Sequence, residues 1–193
     1  MAGESSLIFI TGGVRSGKSR FAENLAGEWQ AKYSGQLHYV AAGQPSDQEM
    51  KERILRHQRD RELSGLHWRI WEIPRNLSQL SIVLTKNDIV LLDCLTTLLN
   101  NEFFHIDWQQ EQVEVSKRIE TKIINDLKQV AQQTRALIVV SNEVLGAAIP
   151  DEAMVFTYAR ILGKLHQAIV KEADFAYLVE AGVPMRRKGE VSP

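Results

Sequence analysis

Eight residues near the start, Gly12-Gly13-Val14-Arg15-Ser16-Gly17-Lys18-Ser19, follow the pattern Gly-x-x-x-x-Gly-Lys-Ser. Glycines let a loop take backbone angles that a β-carbon forbids, so successive N–H groups can turn inward around a phosphate. A helix that starts straight after the loop adds a positive N-terminal end favouring the same anion. In such a loop Lys18 reaches the β- and γ-phosphates of a nucleotide, and the Ser19 hydroxyl ligates Mg2+. The flanks argue against a chance glycine-rich turn: Leu7 to Thr11 is a short apolar, β-rich run, and Ser16 to Ala31 reads as a helix carrying Phe21 and Leu25.

Three further groups of residues carry possible chemistry. Asp93 follows the apolar run Ile89-Val90-Leu91-Leu92. A carboxylate there can hold Mg2+ opposite Ser19, directly or through water. It can equally cap the helix that begins at Cys94-Leu95, and the two roles are compatible. Arg53, His57 and Arg61 recur at four-residue spacing and form one stripe of a helix from about Asp47 to Leu63. A histidine between two arginines can meet a phosphate, and neutral imidazole can attack phosphorus to form a phosphoramidate. Met50 and Ile54 flank the same stripe, so spacing alone favours a packed or surface histidine. The remaining charges, Lys51, Arg56 and Arg59 against Glu49, Glu52, Asp60 and Glu62, read as a solvated helix face. Ser141-Asn142-Glu143-Val144 follows another apolar run, where a parallel sheet binds ligands or where the side chains cap a loop.

The elements that must position these groups alternate between strand and helix, which points to an α/β fold with a mainly parallel central sheet flanked by helices, the phosphate-loop (P-loop) nucleotide-binding class. Strands are expected at Gln36–Ala42, His67–Ile73, Asp88–Asp93, Arg135–Ser141 and Phe175–Val179. Ser46 and Glu49 make a capping box at the start of the His57 helix. Further helices are expected over Leu77–Leu84, Leu95–Phe104, Asp107–Gln133, whose stripe is Ile119, Ile123, Leu127 and Val130, and from Pro150 to about Ala173. Asn142 to Pro150 reads as a loop, and Arg186-Arg187-Lys188 as a frayed basic tail.

Composition narrows the function. A chain of 193 residues is expected to form one domain, 1–193. With 23 basic and 24 acidic residues, its net charge of -1 gives no general attraction to nucleic acid or an acidic membrane. Cys94 is the only cysteine, so no intrachain disulfide and no cysteine-rich zinc site can form. No signal peptide and no membrane span are expected, and the simplest compartment is the cytoplasm.

These blocks resemble the bifunctional adenosylcobinamide kinase / adenosylcobinamide-phosphate guanylyltransferase family of cobalamin biosynthesis. Thr11 to Arg20 is similar to that family's phosphate loop. Tyr39-Val40-Ala41-Ala42 followed by Asp47, Glu49, Met50, Arg53, Ile54, His57 and Arg61 matches its second signature, with Trp68 and Glu72 following. Asp93-Cys94-Leu95-Thr96-Thr97 and Asn142-Glu143-Val144 resemble the third and fourth. The resemblance implies that a nucleoside triphosphate, ATP or GTP, phosphorylates the side-chain hydroxyl of adenosylcobinamide. A histidine then accepts GMP from GTP and passes it to that phosphate. The guanylylated histidine falls on His57, which reverses the reading from spacing. Guanine-nucleotide contacts fall on the phosphate loop, on Ala42, Gly43 and Gln44, on Gln58, Arg59, Asp60 and Arg61, and on Glu72 and Asp93. A homo-oligomer, a trimer by resemblance, is implied.

The chain departs from the family pattern late. Leu145-Gly146-Ala147-Ala148-Ile149-Pro150 replaces a Gly-x-Gly-Ile-Val-Pro run. Ala159-Arg160 stands where Arg-Asp is usual, and His166 where asparagine is usual. Ala41-Ala42-Gly43 ends a strand where threonine is common. These departures motivate a competing reading, a nucleotide-binding regulatory protein of the same fold. A different small-molecule kinase using the phosphate loop alone is the third.

Overall fold

The computed structural model describes residues 5–43, 59, 65–106, 112–143 and 153–190. Its strands are β1 (Ser6–Gly12), β2 (Leu37–Ala41), β3 (Trp68–Glu72), β4 (Ile89–Asp93), β5 (Ala136–Asn142), β6 (Phe175–Glu180) and β7 (Val183–Lys188). They form one sheet in the order β3-β2-β4-β5-β1-β6-β7. Every neighbouring pair is parallel except β6 and β7, which form an antiparallel hairpin. The helices are α1 (Lys18–Tyr33), α2 (Leu95–His105), α3 (Gln112–Gln133) and α4 (Ala153–Glu172), with a 3₁₀ helix over Leu77–Ile82.

Strand alternation sends successive side chains to opposite faces, and both faces are covered. On one face Ile8, Ile10, Leu91, Ile138 and Val140 pack against Ala22, Leu25, Ala26 and Trp29 of α1. On the other, Phe9, Val90, Leu92, Leu137 and Val139 meet the apolar sides of α2, α3, α4 and the 3₁₀ helix. The α3 stripe comprises Val115, Ile119, Ile123, Leu127 and Val130, all buried. Burying one such aliphatic side chain stabilises by roughly 1.5–3 kcal/mol, so this two-sided covering fixes the strand register.

The structure corrects several sequence-based expectations. Arg186-Arg187-Lys188 is not a frayed tail but part of β7. Lys188 Nζ donates to the carbonyls of Val170 and Lys171 at 2.9 Å, near the end of α4, where helix carbonyls lack intrahelical partners. The hairpin turn, Ala181 (φ 49°) and Gly182 (φ 82°), has the two positive φ angles of a type I′ turn. Helix α1 begins at Lys18 rather than Ser16, because Gly17 at φ 90° interrupts helical geometry. The expected helix over Leu77–Leu84 is the shorter 3₁₀ segment, and Asn142 belongs to β5 rather than to the loop after it. At Gly35, a β-carbon would lie 1.7 Å from the Asn87 carbonyl oxygen, so the turn before β2 admits only glycine.

Candidate active site

The phosphate loop leaves the carboxyl end of β1. Gly12 is its last strand residue, and its carbonyl accepts the Glu143 N–H at 2.9 Å. A β-carbon on Gly12 would lie 2.4 Å from the Val179 carbonyl oxygen and 2.6 Å from Ser16 Oγ, so close backbone approach requires glycine here. Arg15 at φ 60° and Gly17 at φ 90° adopt left-handed geometry and bend the chain round. The Ser16 N–H donates to the Gly13 carbonyl at 3.2 Å. Lys18 is 5% exposed, and its Nζ donates across the loop to the same carbonyl at 3.0 Å. An ammonium held across such a loop is arranged to meet an anion. No described residue would crowd a β-carbon at Gly13, and Val14 and Arg15 are exposed, so the outer side of the loop is open among the described residues. Ser16 Oγ is buried without a hydrogen-bond partner among the described residues. Ser19 is half-buried in the first turn of α1.

A second group lies along the ends of β3, β2 and β4. Ala41 is in register with Glu72 on one side and Asp93 on the other. The two carboxylates therefore sit at one level, with Ala42 and Gly43 leading away between them. Asp93 is half-buried, and its Oδ2 accepts the Tyr39 hydroxyl at 3.0 Å. Cys94, not Asp93, occupies the N-cap position of α2 and makes no side-chain cap bond. Asp93 therefore does not serve as the cap of α2. Asn101 of α2 donates to the carbonyls of Ala42 at 2.8 Å and Pro74 at 3.0 Å, tying together the chains leaving β2 and β3. Glu72 and Arg59 are exposed. His57, Gln44, Gln58, Asp60 and Arg61 lie outside the described residues.

Oxygen donors suit Mg2+, which keeps waters and nucleotide phosphates as ligands rather than demanding an all-protein cage. Ser19 and Asp93 fit that requirement. No group of three or more acidic, histidine or cysteine side chains able to hold a metal occurs among the described residues. Strand β5 separates β1 from β4, so two strand spacings, about 10 Å, lie between the phosphate loop's strand and Asp93. That gap leaves room for nucleotide phosphates between the loop and the carboxylate.

Between these groups, Asn142 is spent on structure. It is in register with Gly12, and its Nδ2 donates to Thr96 Oγ1 at 3.0 Å. Thr96 also lies 3.0 Å from Cys94 Sγ, and its carbonyl accepts the Tyr158 hydroxyl at 3.0 Å. Burial, reinforced by Cys94, pushes the Tyr158 hydroxyl up to about 12, so it stays a neutral donor. Of the late departures, Arg160 is exposed on α4, Ala159 is buried, and His166 Nε2 pairs with the buried Ser141 Oγ at 2.8 Å. Tyr39, Asn101, Thr96 and Tyr158 were missed as site supports by sequence reasoning. Tyr39 and Thr96 stood within the blocks that carry the family resemblance, but neither was singled out as a support.

A parallel sheet with a glycine-rich, lysine-bearing loop after β1 and a carboxylate at the end of β4 defines a P-loop nucleotide-binding fold. The family model for cobinamide kinase / cobinamide phosphate guanyltransferase matches residues 8–187, and the chain belongs to that family. Over 188 residues it is 32% identical to the bifunctional adenosylcobalamin biosynthesis protein CobU of Salmonella typhimurium, covering 94% of this chain and 99% of that one. Against CobP of Pseudomonas aeruginosa, which carries the same description, identity is 35% over 182 residues, covering 94% and 96%. Among solved structures, flagellar accessory protein FlaH from Methanocaldococcus jannaschii aligns with 97% of this chain and 81% of its own, at a TM-score of 0.44 and 15% identity.

Proposed function

We propose that this protein performs both reactions of its family on one domain spanning residues 1–193. In the first, the side-chain hydroxyl of adenosylcobinamide attacks the γ-phosphorus of a nucleoside triphosphate. The bond to the β-phosphate oxygen breaks, the diphosphate leaves, and the hydroxyl proton is released. In the second, a ring nitrogen of His57 attacks the α-phosphorus of GTP and pyrophosphate leaves. The phosphate oxygen of adenosylcobinamide phosphate then displaces the imidazole and takes GMP. The observation that carries this reading is the buried Lys18 closing on Gly13 within a complete phosphate loop, in a chain belonging to this family.

The roles follow from chemistry. Gly12, Gly13, Val14, Arg15, Ser16 and Gly17 present backbone groups to the phosphates, and Lys18 neutralises charge that builds up as the phosphoryl group transfers. Ser19 and Asp93 would hold Mg2+, which would supply charge neutralisation as the phosphoryl group transfers. By family resemblance rather than from geometry, Ala42, Gly43, Gln44, Gln58, Arg59, Asp60, Arg61 and Glu72 contact the guanine nucleotide. A cytoplasmic homo-oligomer, a trimer, completes the reading. No helix among the described residues is long and apolar enough to cross a membrane.

The test uses GTP radiolabelled at the α-phosphate, comparing the parent with His57→Ala after denaturing electrophoresis. Acid-labile label on the parent alone, with ATP-dependent phosphorylation of cobinamide intact in the variant, is expected. Label persisting on His57→Ala would remove His57 from the mechanism. Affinity for nucleotide without product in either assay would favour the regulatory reading.

A further inference from the structure

The β6–β7 hairpin reaches the phosphate loop at one point. The Gly182 N–H, in the turn, donates to the Ser16 carbonyl at 2.8 Å. A β-carbon on Gly17 would lie 3.2 Å from Gly182 Cα, so the turn and the loop are in van der Waals contact. The Ser16–Gly17 peptide is planar and trans, so its C=O and N–H point in opposite directions. Holding the Ser16 carbonyl on the hairpin therefore turns the Gly17 N–H away from the hairpin. We propose that Gly182 is a positioning residue for nucleotide binding: it fixes the orientation of the Ser16–Gly17 peptide so that the Gly17 N–H is presented to a nucleotide phosphate.

The turn is built for this contact. Gly182 sits at φ 82°, where a β-branched residue is strongly disfavoured, although no described residue lies within 4 Å of the position its β-carbon would take. Its requirement for glycine is thus conformational rather than spatial. Asparagine tolerates left-handed geometry and keeps the N–H in place, whereas valine drives the residue to negative φ and takes the N–H off Ser16. A second glycine, Gly189 at φ 93°, closes the far end of β7, where a β-carbon would lie 2.4 Å from Phe175 Cδ1. It lies one residue beyond β7, at the end of the hairpin opposite the turn that meets Ser16, so it serves as a control for hairpin integrity alone.

This inference rests on the phosphate loop binding nucleotide. Binding of a fluorescent ATP analogue with Mg2+ is measured for the parent, Gly182→Val, Gly182→Asn and Gly189→Ala, with melting temperatures alongside. The expected result is a loss of affinity of about ten-fold in Gly182→Val, the cost of one misdirected hydrogen bond to a charged group. Gly182→Asn should bind like the parent, and Gly189→Ala should lose melting temperature but keep affinity. Equal affinity losses in Gly182→Val and Gly189→Ala would overturn the positioning role, as would unchanged affinity in folded Gly182→Val. If Gly182→Val does not fold, a loss of affinity in Gly182→Asn would overturn it, and the Asn rescue would support it. Failure of the parent itself to bind would instead sink the nucleotide reading.

Discussion

The two carboxylate-and-phosphate regions at the top of the sheet are held in different ways. Around the phosphate loop the contacts are mostly backbone: Glu143 N–H to Gly12, Ser16 N–H to Gly13, Gly182 N–H to Ser16, and Lys18 reaching a carbonyl. Around Asp93 and the end of β2 the contacts come from side chains: Tyr39 on Asp93, and Asn101 on the carbonyls of Ala42 and Pro74. A backbone-built region depends on which positions can lack a β-carbon, so a handful of glycines defines it. A side-chain-built region depends on particular long-range partners, and substitutions there are graded rather than prohibitive.

The largest effect expected from this contrast is at Lys18. Lys18→Ala removes the ammonium that reaches across the phosphate loop to Gly13, and should lower kcat/KM for cobinamide phosphorylation by about 1,000-fold. The fold should survive, because the backbone contacts that shape the loop remain. A variant that melts with the parent and loses activity supports the comparison. One that loses activity only by unfolding would show that the ammonium, not the backbone, shapes the loop.

A smaller, graded response is expected across the sheet. Asp93→Asn keeps an acceptor for the Tyr39 hydroxyl but loses the charge, and should cost about 100-fold in the kinase step with a raised Mg2+ requirement. Tyr39→Phe keeps the charge but releases the carboxylate, and should cost only about five-fold, near 1 kcal/mol. Steady-state kinetics over a range of Mg2+ concentrations separate the two. If Tyr39→Phe were as damaging as Asp93→Asn, the hydroxyl would be doing more than orienting its partner.

The same contrast explains what was legible in the sequence. The phosphate loop was readable because glycine spacing encodes backbone geometry directly, and Gly12, Gly17 and Lys18 stand where that spacing puts them. The continuous apolar runs of β4 and β5 were equally readable, since strands buried on both faces leave no room for alternation. Tyr39, Asn101 and Thr96 were not, because each acts on a residue between 27 and 59 positions away or on another element, and no local pattern carries such a pairing. The hairpin was misread for a related reason. Ala181-Gly182 supplies a type I′ turn without the usual asparagine, and Arg186-Arg187-Lys188 looks solvated until Lys188 is seen on the end of α4. The departure at His166 was visible, but its partner, Ser141, was not.

The smallest expected effect tests whether both regions answer to acid. His166, beneath the phosphate-loop side, pairs with Ser141 and packs edge-on to Phe9 at 5.1 Å. His38, in β2, accepts the Trp71 indole N–H at 3.0 Å on Nδ1, leaving the proton on Nε2, 3.4 Å from Asp88. Burial pushes both imidazoles below their ordinary value of 6.5, with Glu143 opposing the shift at His166 and Asp88 opposing it at His38. Below that value the unfolded chain binds more protons than the folded one. Stability is therefore full above 6.5 and is lost as pH falls towards the folded pKa values. The melting temperature should drop between about pH 7.5 and pH 5.5, and His166→Asn should make that drop smaller by a few degrees. At the upper pH His166→Asn should melt near the parent, because an amide can still bond Ser141. His38→Asn should also flatten the pH response, yet melt lower at every pH because Trp71 and Asp88 lose a matched partner. An unchanged pH response in both variants would place the acid sensitivity elsewhere, and a response confined to His38 would leave the phosphate-loop side indifferent to pH.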